Sequence, residues 1–333
     1  MIDETRVLAT GPIAPWLTGL ESKRTIFADD LYYWEGWAAF VAACSGEPAM
    51  SMLRHLTFAL VKPEAVVGRR LDPILDFLLG KGFSVAGAWP VYLTRHAVRA
   101  LWGYQLNSVL TAHHRSLELS VTSGELFVVG LVHPLERGEA GSAADLLRLS
   151  KGTSSRPGGD SLRDQLNAPA RMLTFVHAPD EAADVIRELA VICDGPGRPP
   201  WSLPPDPDAA PLGQIVATLV RAARQPGIVD SQAGRSARKM MTARYSGIAP
   251  HDLSVDATLR RMRGYLRDGL GTGLPTATLA ANEAGYTTPR QALEVVISLE
   301  SAHALPLWDR IVTAAHLTDN FRNGHAMLIT PPP

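Results

Sequence analysis

The sequence predicts an α/β protein in which strands alternate with helices in the first part and helices alone follow in the last part. Before residue 194, short apolar runs alternate with segments of helical periodicity, whereas the patterns after residue 211 are helical. Residues 194–211 (DGPGRPPWSLPPDPDAAP) hold seven prolines, which fix φ and remove backbone donors. This segment is a linker or an extended arm packed by Trp201. We therefore expect a helical extension (1–50), an α/β domain (51–193), a proline-rich linker (194–212) and a helical domain (213–333).

Composition narrows the class of protein. The net charge of −1 argues against a general binder of nucleic acid or of anionic membranes, which would carry a basic excess. No apolar run approaches the roughly 18 residues that span a bilayer, and the first 25 residues carry no secretory pattern. Cys44 and Cys193 are too few for a disulfide framework or a cysteine-based zinc site. We expect two buried thiols and a cytoplasmic protein.

Periodicity predicts the individual elements. Asp29 and Asp30 occupy an N-cap position, which predicts a helix that ends at Gly46. Strands are predicted at 56–61, 83–93, 126–132 and 172–176, and helices at 73–79, 96–104, 180–192, 213–224, 236–245, 255–270 and 290–302. The order β-α-β-α-β-…-β-α favours a sheet with helices packed on one side.

Three residues of the α/β part suit phosphate chemistry. Transfer of a phosphoryl group needs fixed cations, because the group carries dense negative charge. Lys62 follows a predicted strand and offers a point charge, while Arg163 lies in a glycine-rich loop and offers a bidentate fork. His177 lies between a predicted strand and a helix, and an imidazole can act as a nucleophile at neutral pH.

Five segments, in chain order, carry a resemblance to a known family. They are TFALVKPEAV (57–66), GKGFSVAGA (80–88), Ser123-Gly124 before the strand 126–132, KGTSSRPGGDSLRDQL (151–166) and FVHAPDEAADVIREL (175–189). Together they resemble the nucleoside diphosphate kinases, over about 40% of the chain. The resemblance implies a ferredoxin-like core with an antiparallel sheet and helices, to which the C-terminal all-α domain is added.

The resemblance also assigns roles. It implies that His177 accepts the terminal phosphoryl group of ATP or another nucleoside triphosphate, with Mg²⁺ held by the phosphates and no protein-only metal site. Glu188 would orient the imidazole, Lys62 would act in catalysis, and Lys62, Thr153 and Arg163 would bind phosphate. Trp102 or Tyr104 stands where the family has a phosphate-contacting tyrosine, and the sequence does not choose between them. Further nucleotide contacts are expected at His114 and Thr174.

Departures from the family pattern concern the nucleoside. Pro179 replaces a small or hydroxyl residue, and Thr174 replaces the asparagine that helps to bind the sugar. The spacing around 113–115 fits the base-stacking position, but the residue types do not. The sequence therefore predicts a phosphotransferase whose acceptor is a nucleotide or a more specialised small molecule. A catalytically silent nucleotide-binding module with a partner-binding helical domain, or a site for another phosphorylated ligand, stays open, as does a homo-oligomer.

Other motifs predict less. GLGTG (269–273) follows a helical pattern, so it does not indicate a dinucleotide site. The basic residues around 235–244 and 260–267 are typical of solvated helix faces. Because the usual stacking residue is missing, we expect the helical domain to close over the phosphate site and to help select the acceptor.

Overall fold

The computed structural model describes residues 13–45, 49–135, 141–152, 159–193, 212–224, 231–270, 288–319 and 328. The predicted helix end at Gly46, the phosphate contact Thr153, the proline-rich segment with Trp201, and most of the GLGTG motif lie outside these residues. Elements are numbered within them. Among these residues, no helix combines the length and the apolar character needed to cross a membrane.

A four-stranded antiparallel sheet forms the centre of the α/β part. Its strands are β1 (Leu56–Val61), β2 (Ser84–Val91), β3 (Leu126–Val132) and β4 (Val176–His177), in the spatial order β2-β3-β1-β4. β1 and β3 pair along their whole length, from Leu56 opposite Val132 to Val61 opposite Phe127. The sequence located β1 and β3 correctly because both are uninterrupted apolar runs.

Helices precede, link and follow these strands, and their bounds are as follows. They are α1 (Glu21–Ala28), α2 (Leu31–Cys44), α3 (Ala49–Leu53), α4 (Pro63–Val67), α5 (Leu71–Gly80), α6 (Arg95–Leu106), α7 (Thr111–Val121), α8 (Ala143–Lys151), α9 (Leu162–Leu166), α10 (Ala182–Cys193), α11 (Leu212–Ala223), α12 (Ser231–Tyr245), α13 (Val255–Arg267), α14 (Pro289–Ser301) and α15 (Leu307–Thr318). Asp30 is the N-cap of α2 and accepts a hydrogen bond from the Tyr33 N–H, as the sequence predicted. Seven of these helices were not predicted from the sequence: α1, α3, α4, α7, α8, α9 and α15. Helices α3, α4 and α9 have only five residues each, and the apolar positions of α7 are interrupted by two histidines and an arginine.

The sheet is covered on both faces, so the prediction of helices on one side was wrong. All residues of β1 and β3 are buried, although alternate side chains of a strand point to opposite faces. Helix α11 contacts β1, β2 and β3. Leu219 of α11 packs so closely on Gly130 of β3 that a Cβ at residue 130 would lie 2.8 Å from Leu219 Cδ2. A strand that is apolar throughout needs cover on both sides.

The fourth strand is shorter than predicted. The sequence placed it at 172–176, but β4 spans only Val176–His177. Phe175 has a φ of +65°, in the left-handed region, and the Leu173 N–H donates to the Ala170 carbonyl in a turn. A left-handed non-glycine residue interrupts the extended backbone, so the apolar run 172–174 belongs to a packed loop.

The helices after the proline-rich segment fall into two groups. Apolar side chains of α11 and α12, among them Leu219, Met241 and Tyr245, belong to the same core as the sheet. Helices α14 and α15 pack on α7 around a second apolar cluster that includes Val295, Leu299 and Leu317. The division of the chain into a core and a separate helical domain stays a prediction.

Candidate functional site

His177 lies on β4 and is held by two side chains. Its backbone pairs with Leu60 of β1. Its Nε2 is 2.8 Å from Glu188 Oε2, and the indole Nε1 of Trp102 donates to Nδ1 over 3.3 Å. The rings of Trp102 and His177 meet edge to face, with centroids 5.2 Å apart. Since indole N–H only donates and carboxylate only accepts, this arrangement fits a neutral ring with its proton on Nε2.

Three helices bring these partners together. Glu188 is on α10, and Trp102 is on α6. Asp30, which caps α2, accepts a 2.7 Å bond from Arg187 Nε on α10 and a 2.8 Å bond from the Tyr104 hydroxyl on α6. The N-terminal extension is therefore tied to both helices that contact His177. A buried carboxylate that accepts bonds from both helices fixes their relative position.

A second link from the N-terminal extension reaches the start of α10. Lys23 is 1% exposed, and its Nζ lies 2.7 Å from both Glu181 and Asp184. The Thr18 hydroxyl also donates to Glu181. Burial raises the pKa of the Asp184 carboxyl to about 7, although Lys23 opposes that shift. Two buried carboxylates sharing one lysine anchor α10, and with it Glu188.

A cationic group lies beside the histidine and its carboxylate. Lys151 Nζ, at the end of α8, donates to the Ala178 carbonyl over 2.9 Å and lies 3.2 Å from Asp180 Oδ1. Burial lowers the pKa of Lys151 and of Arg163, and Asp180 opposes both shifts. Burial alone would raise the pKa of Asp180, but the charge of Lys151, together with that of His177 when its ring is protonated, holds the pKa below its usual range. Lys151, Arg163, Asp180 and His177 thus share one electrostatic environment.

Sequence reasoning did not assign Lys151 or Asp180 to the site. Lys151 begins the KGT segment, in which only Thr153 was predicted to bind phosphate. Asp180 was interpreted as the first residue of a helix. Their pairing joins residues 29 positions apart in the chain, and nothing in either segment signals it.

Lys62 is enclosed by acceptors. Its Nζ is 2.7 Å from Glu64 Oε1 and donates to the Met172 carbonyl over 2.7 Å. Lys62 and Glu64 are 2% and 0% exposed. Burial lowers the pKa of Lys62, the Glu64 charge opposes that shift, and the Arg163 charge adds to it. Lys62 and Arg163 are therefore electrostatic neighbours, but in this conformation the lysine is paired with Glu64.

The remaining candidates are placed as follows. Tyr104 bonds to Asp30, so of the two aromatic candidates it is Trp102 that contacts His177. His114 Nε2 is 2.7 Å from the Leu106 carbonyl, and the Thr174 hydroxyl donates to the Val176 carbonyl over 3.3 Å. Both side chains are thus engaged with backbone.

The surface around residues 113–115, where the resemblance places the base, is covered by the C-terminal helices. Arg115 Nε donates to Glu300 of α14 over 2.9 Å, and a second bond joins the same two side chains. The Ser116 hydroxyl lies 3.2 Å from the Ala314 carbonyl of α15. His113 Nδ1 is 3.4 Å from the carbonyl of Thr318. Helices α14 and α15 therefore occupy the face of α7 that would otherwise be open to a ligand.

The acidic side chains near His177 are paired with basic groups. Among the described residues, no three His, Cys, Asp or Glu side chains are grouped so that they could hold a metal ion. The carboxylates nearest to His177 are already paired, Glu188 with His177 and Asp180 with Lys151. Mg²⁺, as an ion that would arrive on the phosphates of a substrate, stays a prediction.

Comparison with known proteins gives a weak likeness among solved structures. No protein-family model matches the chain, and no curated protein does. Among solved structures, an orthorhombic crystal form of the nucleoside diphosphate kinase of Aquifex aeolicus is similar over 41% of this chain and 94% of that chain. The sequence identity is 22% and the TM-score is 0.35.

Proposed function

We propose that the chain is a phosphotransferase that moves the terminal phosphoryl group of a nucleoside triphosphate through His177 to a nucleotide or a more specialised small molecule. The observation that supports this proposal is the orientation of the His177 ring by Glu188. Its Nε2 faces Glu188 at 2.8 Å, which leaves the Nδ1 lone pair as the nucleophile. We also propose that the sheet, with its order β2-β3-β1-β4, belongs to a ferredoxin-like βαββαβ core.

The proposed reaction has two steps. First, Nδ1 attacks the terminal phosphorus, an N–P bond forms, and the bond to the bridging oxygen breaks, so that nucleoside diphosphate leaves. Glu188 stabilises the positive charge that develops on the ring through Nε2–H. In the second step a phosphate oxygen of the acceptor attacks the phosphohistidine, and the N–P bond breaks. Mg²⁺ would neutralise charge on the nucleotide phosphates, and Arg163 and Lys151 supply fixed cations nearby.

A second candidate, a silent nucleotide- or phosphate-binding module, is favoured by two contacts. Trp102 donates a hydrogen bond to His177 Nδ1, and Glu64 forms an ion pair with Lys62. If these contacts persist with ligand bound, His177 cannot attack. For the enzyme, Trp102 must leave Nδ1 before phosphoryl transfer.

Transfer from an isolated phosphoenzyme tests the function. The full chain is incubated with γ-labelled ATP and Mg²⁺, freed of nucleotide, and then mixed with nucleoside diphosphates or monophosphates. We expect acid-labile label on the protein that moves to one of these acceptors. A protein that takes no label from ATP, GTP or deoxynucleoside triphosphates would favour the silent module. A chain shortened to Cys193 is unsuitable, because it lacks α11 and exposes the sheet.

Trp102→Phe tests whether the hydrogen bond from Trp102 to His177 Nδ1, which favours the second candidate, opposes phosphoryl transfer. Phenylalanine keeps an aromatic ring beside His177 but cannot donate to Nδ1. A net hydrogen bond is worth about 0.5–1.5 kcal/mol, so we expect label to appear on His177 about 2- to 13-fold faster than in the wild type. The initial rate of phosphohistidine formation is the measurement. A slower rate would instead indicate that the indole N–H binds the transferred phosphoryl group.

A further inference from the structure

A cavity whose lining does not include His177 lies where residues 251–256 meet the α/β part. Its volume is about 470 Å³, within the range of small-molecule sites. Its lining comes from the segment between α4 and α5, the loop after α9, Phe175, and the segment that leads into α13. None of the lining residues is His177, Glu188, Trp102 or Lys151. The cavity is therefore a site of its own, at a junction between parts of the chain that are distant in sequence.

The floor of the cavity carries an arginine with unused hydrogen-bonding capacity. The Arg70 guanidinium lies over the Phe175 ring, 5.8 Å from its centroid. Arg70 Nε is buried and has no hydrogen-bond partner among the described residues. A buried donor without an acceptor costs about 1–3 kcal/mol, so such a group is usually satisfied by a ligand or water. An arginine fixed on an aromatic face is suited to a planar carboxylate or to a phosphate.

The same cavity is lined by a histidine that is oriented by a buried carboxylate. His251 Nε2 is 2.9 Å from Asp309 Oδ1, and Asp309 is 0% exposed. Burial alone would raise the pKa of Asp309, but hydrogen bonds from Arg261, His251 and Tyr265 hold it below its usual range. Arg261 Nη2 also lies 3.2 Å from Nε2, but the Asp309 carboxylate is nearer, at 2.9 Å, so we assign the proton to Nε2. Nδ1 has no partner within the described ranges and is the nitrogen left for a ligand.

The polar rim completes the description of the lining. Asn167, Asp252, Ser254 and Asp256 are exposed, whereas Arg70 and His251 are half-buried and Phe175 is buried. The Asp252 carboxylate already accepts the Ser254 N–H over 2.9 Å. The carboxylates Asp252 and Asp256 are therefore open to solvent, while Arg70 and His251 are less exposed. A ligand that combines an anionic group with hydroxyl donors matches this lining, because its anionic group can face Arg70 and its hydroxyl groups can face the exposed polar side chains.

We propose that this cavity binds a small hydroxylated molecule with one phosphate or carboxylate group. Arg70 binds the anionic group, and His251 Nδ1 accepts a hydrogen bond from a hydroxyl group. The site works independently of phosphoryl transfer at His177. The cavity would thus bind a phosphorylated polyol or a hydroxy acid as a ligand that the His177 site does not touch.

Three probes identify the chemistry: inorganic phosphate, glycerol phosphate and lactate. Calorimetry gives their dissociation constants on the full chain, and the ring-nitrogen resonances of His251 report occupancy in the wild type. We expect glycerol phosphate or lactate to bind more tightly than inorganic phosphate and to shift the Nδ1 resonance of His251. Preference between these two distinguishes the phosphate from the carboxylate source.

Variants assign the binding to this cavity. Arg70→Gln removes the charge and should weaken binding at least about tenfold, which corresponds to about 1.4 kcal/mol. His177→Ala should bind the probes as the wild type does, and this separates the cavity from the proposed transfer site. Unchanged binding in Arg70→Gln, lost binding in His177→Ala, or wild-type His251 resonances that no probe moves would each overturn the proposal. The resonances of the wild type decide the matter even if Arg70→Gln does not fold.

Discussion

His177→Ala is expected to abolish uptake of acid-labile, alkali-stable phosphate from ATP while leaving the fold intact. The side chain of His177 is 13% exposed and bonds only to Glu188 and Trp102 among the described contacts. Its removal deletes the nucleophile and leaves Glu188 able to recruit water, because the site is not fully closed. We therefore expect complete loss of labelling with a melting temperature within a few degrees of the wild type, by labelling and calorimetry.

Glu188→Gln and a distant histidine make this prediction specific. Glutamine still accepts from Nε2–H but carries no charge, and hydrogen bonds to charged groups are stronger by about 1 kcal/mol. Labelling of Glu188→Gln should therefore slow by roughly five- to tenfold without being lost. His96→Ala, at an exposed position on α6, should label at the wild-type rate. Undiminished labelling of His177→Ala would place the reactive group elsewhere.

Gly36→Ala is expected to destabilise the protein, in contrast to a glycine-to-alanine substitution at an open helix position such as Gly103. Gly36 of α2 packs directly on Ile186 of α10, and an added Cβ would overlap the Ile186 carbonyl oxygen and lie 2.9 Å from its carbonyl carbon. Because the backbone of Ile186 cannot change rotamer as a side chain can, the overlap can be relieved only if α2 and α10 move apart. Overpacking costs typically 1–3 kcal/mol, and we expect roughly 3 kcal/mol here, by denaturant unfolding.

The matched control is Gly103→Ala in α6. A Cβ at residue 103 meets nothing within 4 Å. Since alanine is the better helix former, this change should stabilise by about 0.5–1 kcal/mol. Because Ile186 is two residues from Glu188, Gly36→Ala should also slow labelling of His177. Equal stability of the two variants would contradict the close packing of α2 on α10.

Local signals account for the parts of the fold that could be predicted. β1 and β3 are continuous apolar runs, and the N-cap of α2 is an aspartate in the expected place. The start of β4 was misplaced because residues 172–176 look like a strand, whereas the left-handed backbone of Phe175 interrupts that run. Its N–H donates to Glu64, which is 111 residues away in the chain. Periodicity carries no information about such a bond.

The contact between His177 and Glu188 could be predicted from a local sequence motif. The partners of Trp102, Lys62 and Lys151 could not, because they depend on how the folded chain packs. His177 and Glu188 are eleven residues apart, and the strand-helix pattern between them indicated their approach. The choice between Trp102 and Tyr104 depends on Asp30, which lies in a segment without any resemblance to the family. The pairing of Lys62 with Glu64 and of Lys151 with Asp180 depends on burial, which the sequence does not give residue by residue.

Mapping of the phosphorylated residue tests the central claim most directly. The wild-type chain is incubated with ATP and Mg²⁺, digested at alkaline pH to preserve phosphohistidine, and sequenced by tandem mass spectrometry. The proposed mechanism predicts one phosphoryl group on His177, lost on brief acid treatment and discharged by the acceptor nucleotide. Phosphate found on a serine, a threonine or another histidine, with His177 unmodified, would contradict it.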